Sequence, residues 1–332
     1  MKIKILVLIT IIFSSCSVDD VLNDNIDIYA AGTFNESACY WKNNELTLLD
    51  NNGYSSTYAT DIFVTNDNTY ILGSATIDEE INPDEIKPYL FWENEVVSNL
   101  NVELSEPGVE IYRIDDFYVD DENVYFVGIT ETLSLVSQYS LAYWKNGIKT
   151  ILDENIERDN TSYIEVINDN AYVFYSDNFS NGVQGIYANN SFTQVNSNYG
   201  FIKMKSNENE IYIYGRLLDS SDGFYYNFNT GIETTTPYEV EVLDFDQNNV
   251  YTLAFSDLSY YKEIFKNDKL YYQVDVDHII NDFKIYNDNL YTIEDIFFGP
   301  QILYINGSPL ITLENASTST DNFINAIYIY DK

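Results

Sequence analysis

His278 is the only histidine in the chain, and Cys16 and Cys39 are its only cysteines. A single imidazole excludes a multi-histidine metal centre. In Asp275-Val276-Asp277-His278, strand alternation puts both aspartates on the face opposite the histidine. No Gly-x-Ser-x-Gly elbow accompanies it, so Ser-His-Asp chemistry lacks a nucleophile signature. Acids are the abundant functional groups: 53 Asp+Glu stand against 16 Lys+Arg, a formal net charge of -37. Asp78, Glu79, Glu80, Asp84 and Glu85 crowd into one eight-residue stretch. Their hard oxygens suit Ca²⁺. The alternating Asp-x-Asp-x-Asp-Gly spacing is missing, and solvated surface charge explains the same residues. Two carboxyl groups about 5 to 10 Å apart would hydrolyse glycosidic bonds, but spacing in sequence does not give that distance.

Aromatic rings are the second resource, with 31 Tyr and 19 Phe among 332 residues. Rings held on rigid loops stack on sugars or anchor a protein partner. The strong negative charge repels phosphate backbones, which excludes nucleic acid as a partner. A chain that is 45% hydrophobic has enough apolar material for a large core.

The elements that must position these groups follow from a repeat. A short alternating strand, an Asn/Asp-rich turn and a strand carrying Tyr recur, as in Asp61 to Tyr70, Asp116 to Tyr125 and Glu165 to Tyr172. Further copies end at Tyr212, Tyr251 and Tyr291. In all six, an apolar residue stands eight positions before the Tyr: Ile62, Phe117, Ile164, Met204, Leu243 and Phe283. A second phrase, aromatic-x-Asn followed by a small or polar residue, appears at Trp41 to Asn44, Trp92 to Glu95, Trp144 to Gly147, Tyr187 to Asn190, Phe265 to Asp268 and Tyr304 to Gly307, with a degenerate copy near Tyr226 to Asn229. Period-two alternation around a polar turn marks a β-hairpin, and Asn and Gly supply its left-handed backbone.

Two hairpins make a four-stranded unit, and the Tyr anchors at 29, 70, 125, 172, 212, 251 and 291 are 39 to 55 residues apart. That period predicts an all-β fold, a seven-bladed β-propeller of four-stranded antiparallel blades. An open β-solenoid is the alternative, but it needs no split repeat. Here the first Tyr strand has no inner strand before it, while Ala326 to Lys332 aligns with Asp282 to Asp288. The C-terminal strand is therefore expected to join the N-terminal blade and close the ring, removing an open edge. A ring closed in this way is expected to act as a monomer.

Residues 1–15 combine a charged start, Met-Lys-Ile-Lys, with an apolar run too short to span a bilayer and a Ser14-Ser15 exit before Cys16. The site resembles a bacterial lipobox, with Phe13 in place of the usual Leu, and the resemblance implies that Cys16 is lipidated and becomes the first mature residue. Residues 16–25 then form the tether and 26–332 the propeller. The acidic Ser17-Val18-Asp19-Asp20 looks like a tag for export to the outer face of the outer membrane, although an acidic tether in an acidic protein is also expected. Cys39 would remain as a lone thiol, so the fold rests on its core and not on a disulfide.

With this leader, Tyr125-Phe126-Val127-Gly128 and Trp144-Lys145-Asn146-Gly147 make the chain resemble a largely uncharacterised family of Bacteroidetes β-propeller lipoproteins. The resemblance spans essentially the whole mature chain, although the later repeats have lost the Trp and most of the Gly. It implies fold and location and carries no catalytic residues.

If the blades run inner strand, Tyr strand, Trp strand, outer strand, the Asx turns share one face. The opposite face then gathers the loops between second and third strands and the connectors between blades. Function concentrates on such loops. The candidate ligand-binding residues there are Tyr139, Tyr175, Phe179, Tyr260, Tyr261, Phe297 and Phe298, with Tyr54, Tyr58, Tyr112, Tyr163 and Tyr199 in connectors. Any of these rings could instead pack between blades. The expected function is a non-catalytic binding scaffold in the cell envelope for an extracellular glycan or an envelope protein. The alternative is a polysaccharide-active enzyme with an Asp/Glu pair on the loop face or in the channel. No cofactor is expected apart from Ca²⁺ at the acidic loop.

Overall fold

The computed structural model describes residues 25–66, 68–76, 87–120, 123–134, 137–158, 160–176, 183–255, 262–275, 277–297, 299–314 and 322–332. Their strands form seven four-stranded antiparallel sheets, the blades of a β-propeller. Blade 1 contains β1 (Ile26–Phe34), β2 (Ser37–Lys42) and β3 (Glu45–Leu48). Blade 2 is β4 (Ser56–Thr65), β5 (Asn68–Thr76), β6 (Tyr89–Glu93) and β7 (Val96–Asn99), followed by the short helix α1 (Leu100–Glu103). Blade 3 is β8 (Val109–Val119), β9 (Val124–Thr132), β10 (Gln138–Lys145) and β11 (Ile148–Ile156). Blade 4 is β12 (Thr161–Ile167), β13 (Asn170–Ser176), β14 (Gln184–Ala188) and β15 (Ser191–Gln194). Blade 5 is β16 (Tyr199–Asn207), β17 (Glu210–Leu217), β18 (Gly223–Asn227) and β19 (Ile232–Thr236). Blade 6 is β20 (Val240–Asp246), β21 (Asn249–Phe255), β22 (Lys262–Lys266) and β23 (Lys269–Gln273). Blade 7 is β24 (His278–Tyr286), β25 (Asn289–Ile296), β26 (Gln301–Ile305) and β27 (Ser308–Leu313).

The last strand, β28 (Asn322–Asp331), completes blade 1 in the order β28-β1-β2-β3. It pairs with β1 from Ile26↔Asp331 to Phe34↔Asn322. Asp27, buried in this seam, takes ion pairs of 2.9 Å from both Lys42 and Lys332. The expected closure is the one observed. Among the described residues no helix is long and apolar enough to cross a membrane.

The core lies between blades. Ile28, Ala30, Trp41 and Ile327 of blade 1 pack on Ile293, Leu303 and Ile311 of blade 7, and Tyr29, Ala31 and Leu49 pack on Ile62, Ile71 and Trp92 of blade 2. This explains the repeated Tyr and Trp: Tyr29, Tyr70, Tyr125, Tyr251, Tyr291, Trp41, Trp92 and Trp144 are all buried. Cys39 is buried in the same layer as a free thiol, its pKa pushed up by burial.

The aromatic-x-Asn phrase also has a physical cause. Asn43, Asn94, Asn146, Asn267 and Asn306 sit at φ of 48–50° in the turn between third and fourth strands. From there each Oδ1 accepts the N–H of one of the first three residues of its Tyr strand, Ile28, Thr69, Val124, Val250 or Leu290, at 2.9–3.0 Å. Each Nδ2 donates to the preceding Asx side chain, Asp27, Asn68, Asn123, Asn249 or Asn289, at 2.7–3.0 Å. The Asn therefore clamps the two hairpins of a blade together. The copy near Tyr226 keeps this contact through a longer turn, with Asn229 Oδ1 accepting Ile211 N–H at 2.7 Å.

The innermost strands carry a feature with no sequence signal. β4, β20, β24 and β28 each have a bulge, at Thr60, Glu241, Asn281 and Asn325, β8 has two, at Tyr112 and Asp115, and β16 slips at 201–202. A bulge bends its strand and re-aims the next side chain. It also brings the inner backbone close to the Tyr strand. A Cβ on Gly128 would lie 2.1 Å from the Arg113 carbonyl oxygen, so the Tyr-x-x-Gly phrase reserves room for the bulge.

Candidate functional site

The topology places the Asx turns on one face and the connectors on the other, as the strand order requires. Phe297, on the loop face, is 51% exposed. Tyr139 is half-buried, its ring edge-on to Tyr112 with centroids 5.0 Å apart. Tyr175 corrects the expectation of a solvent-presented ring. It is 4% exposed, packs between blades 3 and 4, and bonds to the Asn160 amide. Tyr199 is likewise buried, stacked on Phe224 at 3.8 Å. Cys16, Phe179, Tyr260, Tyr261, Phe298, Asp78, Glu79, Glu80, Asp84 and Glu85 lie outside the described residues. Among the described residues no group of three or more His, Cys, Asp or Glu is arranged to hold a metal ion.

His278 is better partnered than alternation suggests. Its Nδ1 lies 2.9 Å from Oε2 of Glu294, which is 2% exposed and comes from the neighbouring strand β25. The other oxygen of Glu294 accepts from Thr292 Oγ1 at 2.7 Å and Tyr272 OH at 3.1 Å. These bonds tie the loop-face end of blade 7 to blade 6.

The loop face also holds a cleft of about 380 Å³ where blades 2 and 3 meet. Tyr54, Ser105, Glu106, Glu110 and Leu133 line it, together with Asn99 and Asn101 around α1. Asn99 fixes the Tyr54 hydroxyl with a bond of 3.1 Å and caps α1 through Asn101 N–H at 3.0 Å. Ser105 Oγ is buried and has no hydrogen-bond partner in the protein. An aromatic ring, two carboxylates and an unpaired hydroxyl in one concave site have the chemistry to hold a polyhydroxylated ligand.

The second cavity is the central channel, about 520 Å³, walled by the seven inner strands. Its lining follows from the repeat. The apolar residue eight before each Tyr points into the blade and is buried, so its two neighbours face the axis. On the loop side these neighbours are Ala326, Asp61, Asp116, Tyr163, Lys203, Val242 and Asp282, in order around the ring. One step deeper come Tyr328, Phe63, Tyr118, Glu165, Lys205, Asp244 and Lys284. Phe63 lies 5.2 Å from the Tyr118 ring and 5.6 Å from the Tyr328 ring, so one half of the deeper layer is aromatic and the other charged.

Several of these groups hold blades together. Asp116 Oδ2 accepts Ile164 N–H at 2.9 Å, Asp244 Oδ2 accepts Ile285 N–H at 2.7 Å, and Glu165 Oε2 accepts from Ser206 Oγ at 2.6 Å. Asp61 and Asp282 bond only the next amide in their own strands, at 2.8 and 2.9 Å. Burial pushes Asp61 up to about 6, and burial together with the Asp61 charge holds Asp116 well above the usual carboxylate range. Burial also raises Asp282 and Glu165. Lys284 is opposed by burial but held protonated by Asp282, Asp244 and Asp61.

No protein-family model matches this sequence, and no curated protein matches it. Solved structures share its shape. The β-propeller domain of the Trilobed protease from Pyrococcus furiosus, described as having an open velcro topology, superposes with a TM-score of 0.51 at 10% identity, over 90% of this chain and 99% of that one. A puromycin-hydrolysing peptidase of Mycobacterium tuberculosis gives 0.52 at 7% identity, over 77% of this chain and 46% of that one. The acylaminoacyl peptidase of Pyrococcus horikoshii gives 0.49 at 14% identity, over 78% and 46%. This chain thus spans about half the length of the two peptidases. At such identities the likeness is one of fold alone.

Proposed function

We propose that this protein is an envelope lipoprotein of the Bacteroidetes propeller type, lipidated at Cys16 and held in the outer membrane, whose propeller binds an extracellular glycan at the loop face. The observation that supports the ligand class is the cleft of about 380 Å³ between blades 2 and 3, where Tyr54 meets Glu106, Glu110 and the unpaired Ser105 hydroxyl. Carboxylates accept bonds from sugar hydroxyls, and a tyrosine ring covers the apolar face of a pyranose. The test is a glycan array with the purified protein, run with Ca²⁺ and with chelator, beside a Tyr54→Ala variant. Saturable binding to one glycan class, lost in the variant, is the expected result. Loss on chelation would assign Ca²⁺ a role at the acidic 78–85 stretch. Silence in both conditions would overturn the glycan assignment in favour of a protein partner, recovered by pull-down from envelope extracts.

One observation favours a catalytic alternative. Asp61 and Asp116 stand on adjacent inner strands, and both carboxyls are raised. A protonated acid beside a second carboxylate is what glycosidic hydrolysis uses. Release of reducing ends from the bound glycan, abolished by Asp116→Asn, would establish that reading.

A further inference from the structure

The crevice between blades 2 and 3 departs from the repeat that fills the crevice before it. Between blades 1 and 2, Tyr40, the residue before Trp41, reaches across to Glu95 of the next blade with a hydroxyl bond of 3.1 Å. The indole N–H of Trp92 there donates to the Asp50 carbonyl of the connector at 2.8 Å. One blade on, Phe91 stands in the place of Tyr40 and Gly147 in the place of Glu95, so hydroxyl and carboxylate are both gone. The connector is wound into α1, where the Leu100 carbonyl accepts Leu104 N–H at 3.0 Å, and the buried Trp144 indole N–H is left without a protein partner. What remains is an open groove of about 710 Å³. Phe91, Leu100, Leu104 and Phe126 form its floor, all buried in one cluster with Trp144.

The rim adds charge and further apolar surface. Glu93 lines the turn end of the groove and Glu103 the α1 end, and among the described residues neither makes a side-chain hydrogen bond or an ion pair. The lysines of the facing hairpin are paired elsewhere, Lys145 with Asp169 and Lys149 with Glu106. Apolar surface continues past the groove: Val96 is 72% exposed, Val102 on α1 74% and Ile148, next to Gly147, 74%. A small ligand would leave most of that surface in water, and apolar surface spread round a groove marks a site for another protein. A second copy of this chain, at a net charge of -37, is repelled. We propose that the groove between blades 2 and 3 docks a short, extended, basic segment of a partner protein, with apolar side chains on the Phe91 and Phe126 floor and Lys or Arg at the ends against Glu93 and Glu103. Alternate side chains of an extended segment face one way, so apolar and basic residues at every second position meet the groove together. Charge pairs at the rim select the partner, and the apolar floor supplies the affinity. The groove shares no lining residue with the Tyr54 cleft and goes beyond the glycan assignment.

The test measures binding of dye-labelled Lys-Ser-Phe-Ser-Leu-Ser-Lys to the purified protein by fluorescence anisotropy at about 0.15 M salt, where exposed charges are screened. One control peptide replaces both Lys with Glu, and the other replaces Phe and Leu with Ser. The basic apolar peptide is expected to bind saturably and at least tenfold more tightly than either control. Phe91→Tyr combined with Gly147→Glu rebuilds the bridge found between blades 1 and 2 and should abolish that preference. The turn accepts the change, since Glu95 holds the same turn position at φ of 69°, and Gly147 sits at 77° with nothing within 4 Å of an added Cβ. A native melting transition confirms that the ring of the double variant is intact. Glu103→Lys, at an exposed position, needs no repacking and should weaken the peptide at least tenfold, which decides the matter if the double variant does not fold. Equal binding of the peptide with Ser in place of Phe and Leu, or an unchanged affinity in either folded variant, overturns the proposal. Neither result touches the glycan array, whose readout depends on Tyr54.

Discussion

Asn306 illustrates how much one turn residue does in this fold. At φ of 49° its side chain bonds Leu290 N–H at 2.9 Å and Asn289 Oδ1 at 2.8 Å. Asn306→Ala strands the Leu290 amide and puts a Cβ-bearing residue without side-chain support in the left-handed region. The expected loss is about 2–3 kcal/mol, read from denaturant unfolding. Asn306→Gly should recover the backbone part of it. Asp61 governs a pH response. Its carboxyl lies at about 6 in the fold against an ordinary 3.8. The contribution of its neutral form is full below 3.8 and is lost as pH rises through about 6. Asp61→Asn, which is always neutral, should therefore be more stable than the native protein at pH 7, and the difference should vanish by about pH 4. A difference that stays constant across that range would show that Asp61 is solvated like a surface acid. The sequence made the Asn turns visible as turn formers, because Asn tolerates positive φ. It did not disclose their clamping role, since the amide each one reaches lies 15 to 25 residues away in the chain.

At the scale of elements, β28 is the strand on which the others depend. It gives blade 1 its innermost strand and packs Ile324 and Ile327 against blade 7. Deleting Ala326 to Lys332 removes most of its pairing with β1 and exposes the cores on both sides. Loss of the single cooperative melting transition is expected, and an unchanged transition would contradict the seam. Blade number, strand order and closure were legible because each hairpin writes its own alternation, and Tyr29, Tyr70, Tyr125, Tyr251, Tyr291 and the three Trp mark buried positions. Helix α1 was not, because four residues are too few to show a period. The bulges at Thr60, Tyr112, Asp115, Glu241, Asn281 and Asn325 were also silent, since a bulge depends on how many residues oppose one another across two strands. That silence hid the channel. Asp61, Asp116, Lys203 and Asp282 each directly precede an apolar residue that the repeat had already aligned, and only ring closure brings them round one axis.

For the whole molecule, the proposed lipidation at Cys16 is open to a direct test. Cys16→Ala should move the protein from the membrane fraction to the soluble fraction, and retention in the membrane would sink the lipoprotein assignment. Of the aromatic candidates on the loop face, Phe297 stands in solvent and Tyr175 does not, because loop membership in sequence does not say whether a ring turns outward or between blades. The seam itself has a mechanical meaning. Asn25 and Lys332 leave the ring side by side, joined by a backbone bond of 2.9 Å, at the Asx-turn face. With Cys16 lipidated as proposed, the nine residues from Ser17 to Asn25, about 30 Å at full stretch, would hold that face toward the bilayer and turn the Tyr54 cleft outward. Drag on a captured polymer would then pull β1 along its own axis, across hydrogen bonds to β2 and β28 that lie perpendicular to the load. Such bonds share force in shear and do not unzip one by one, so the strand next to the anchor is also the one that both neighbours grip.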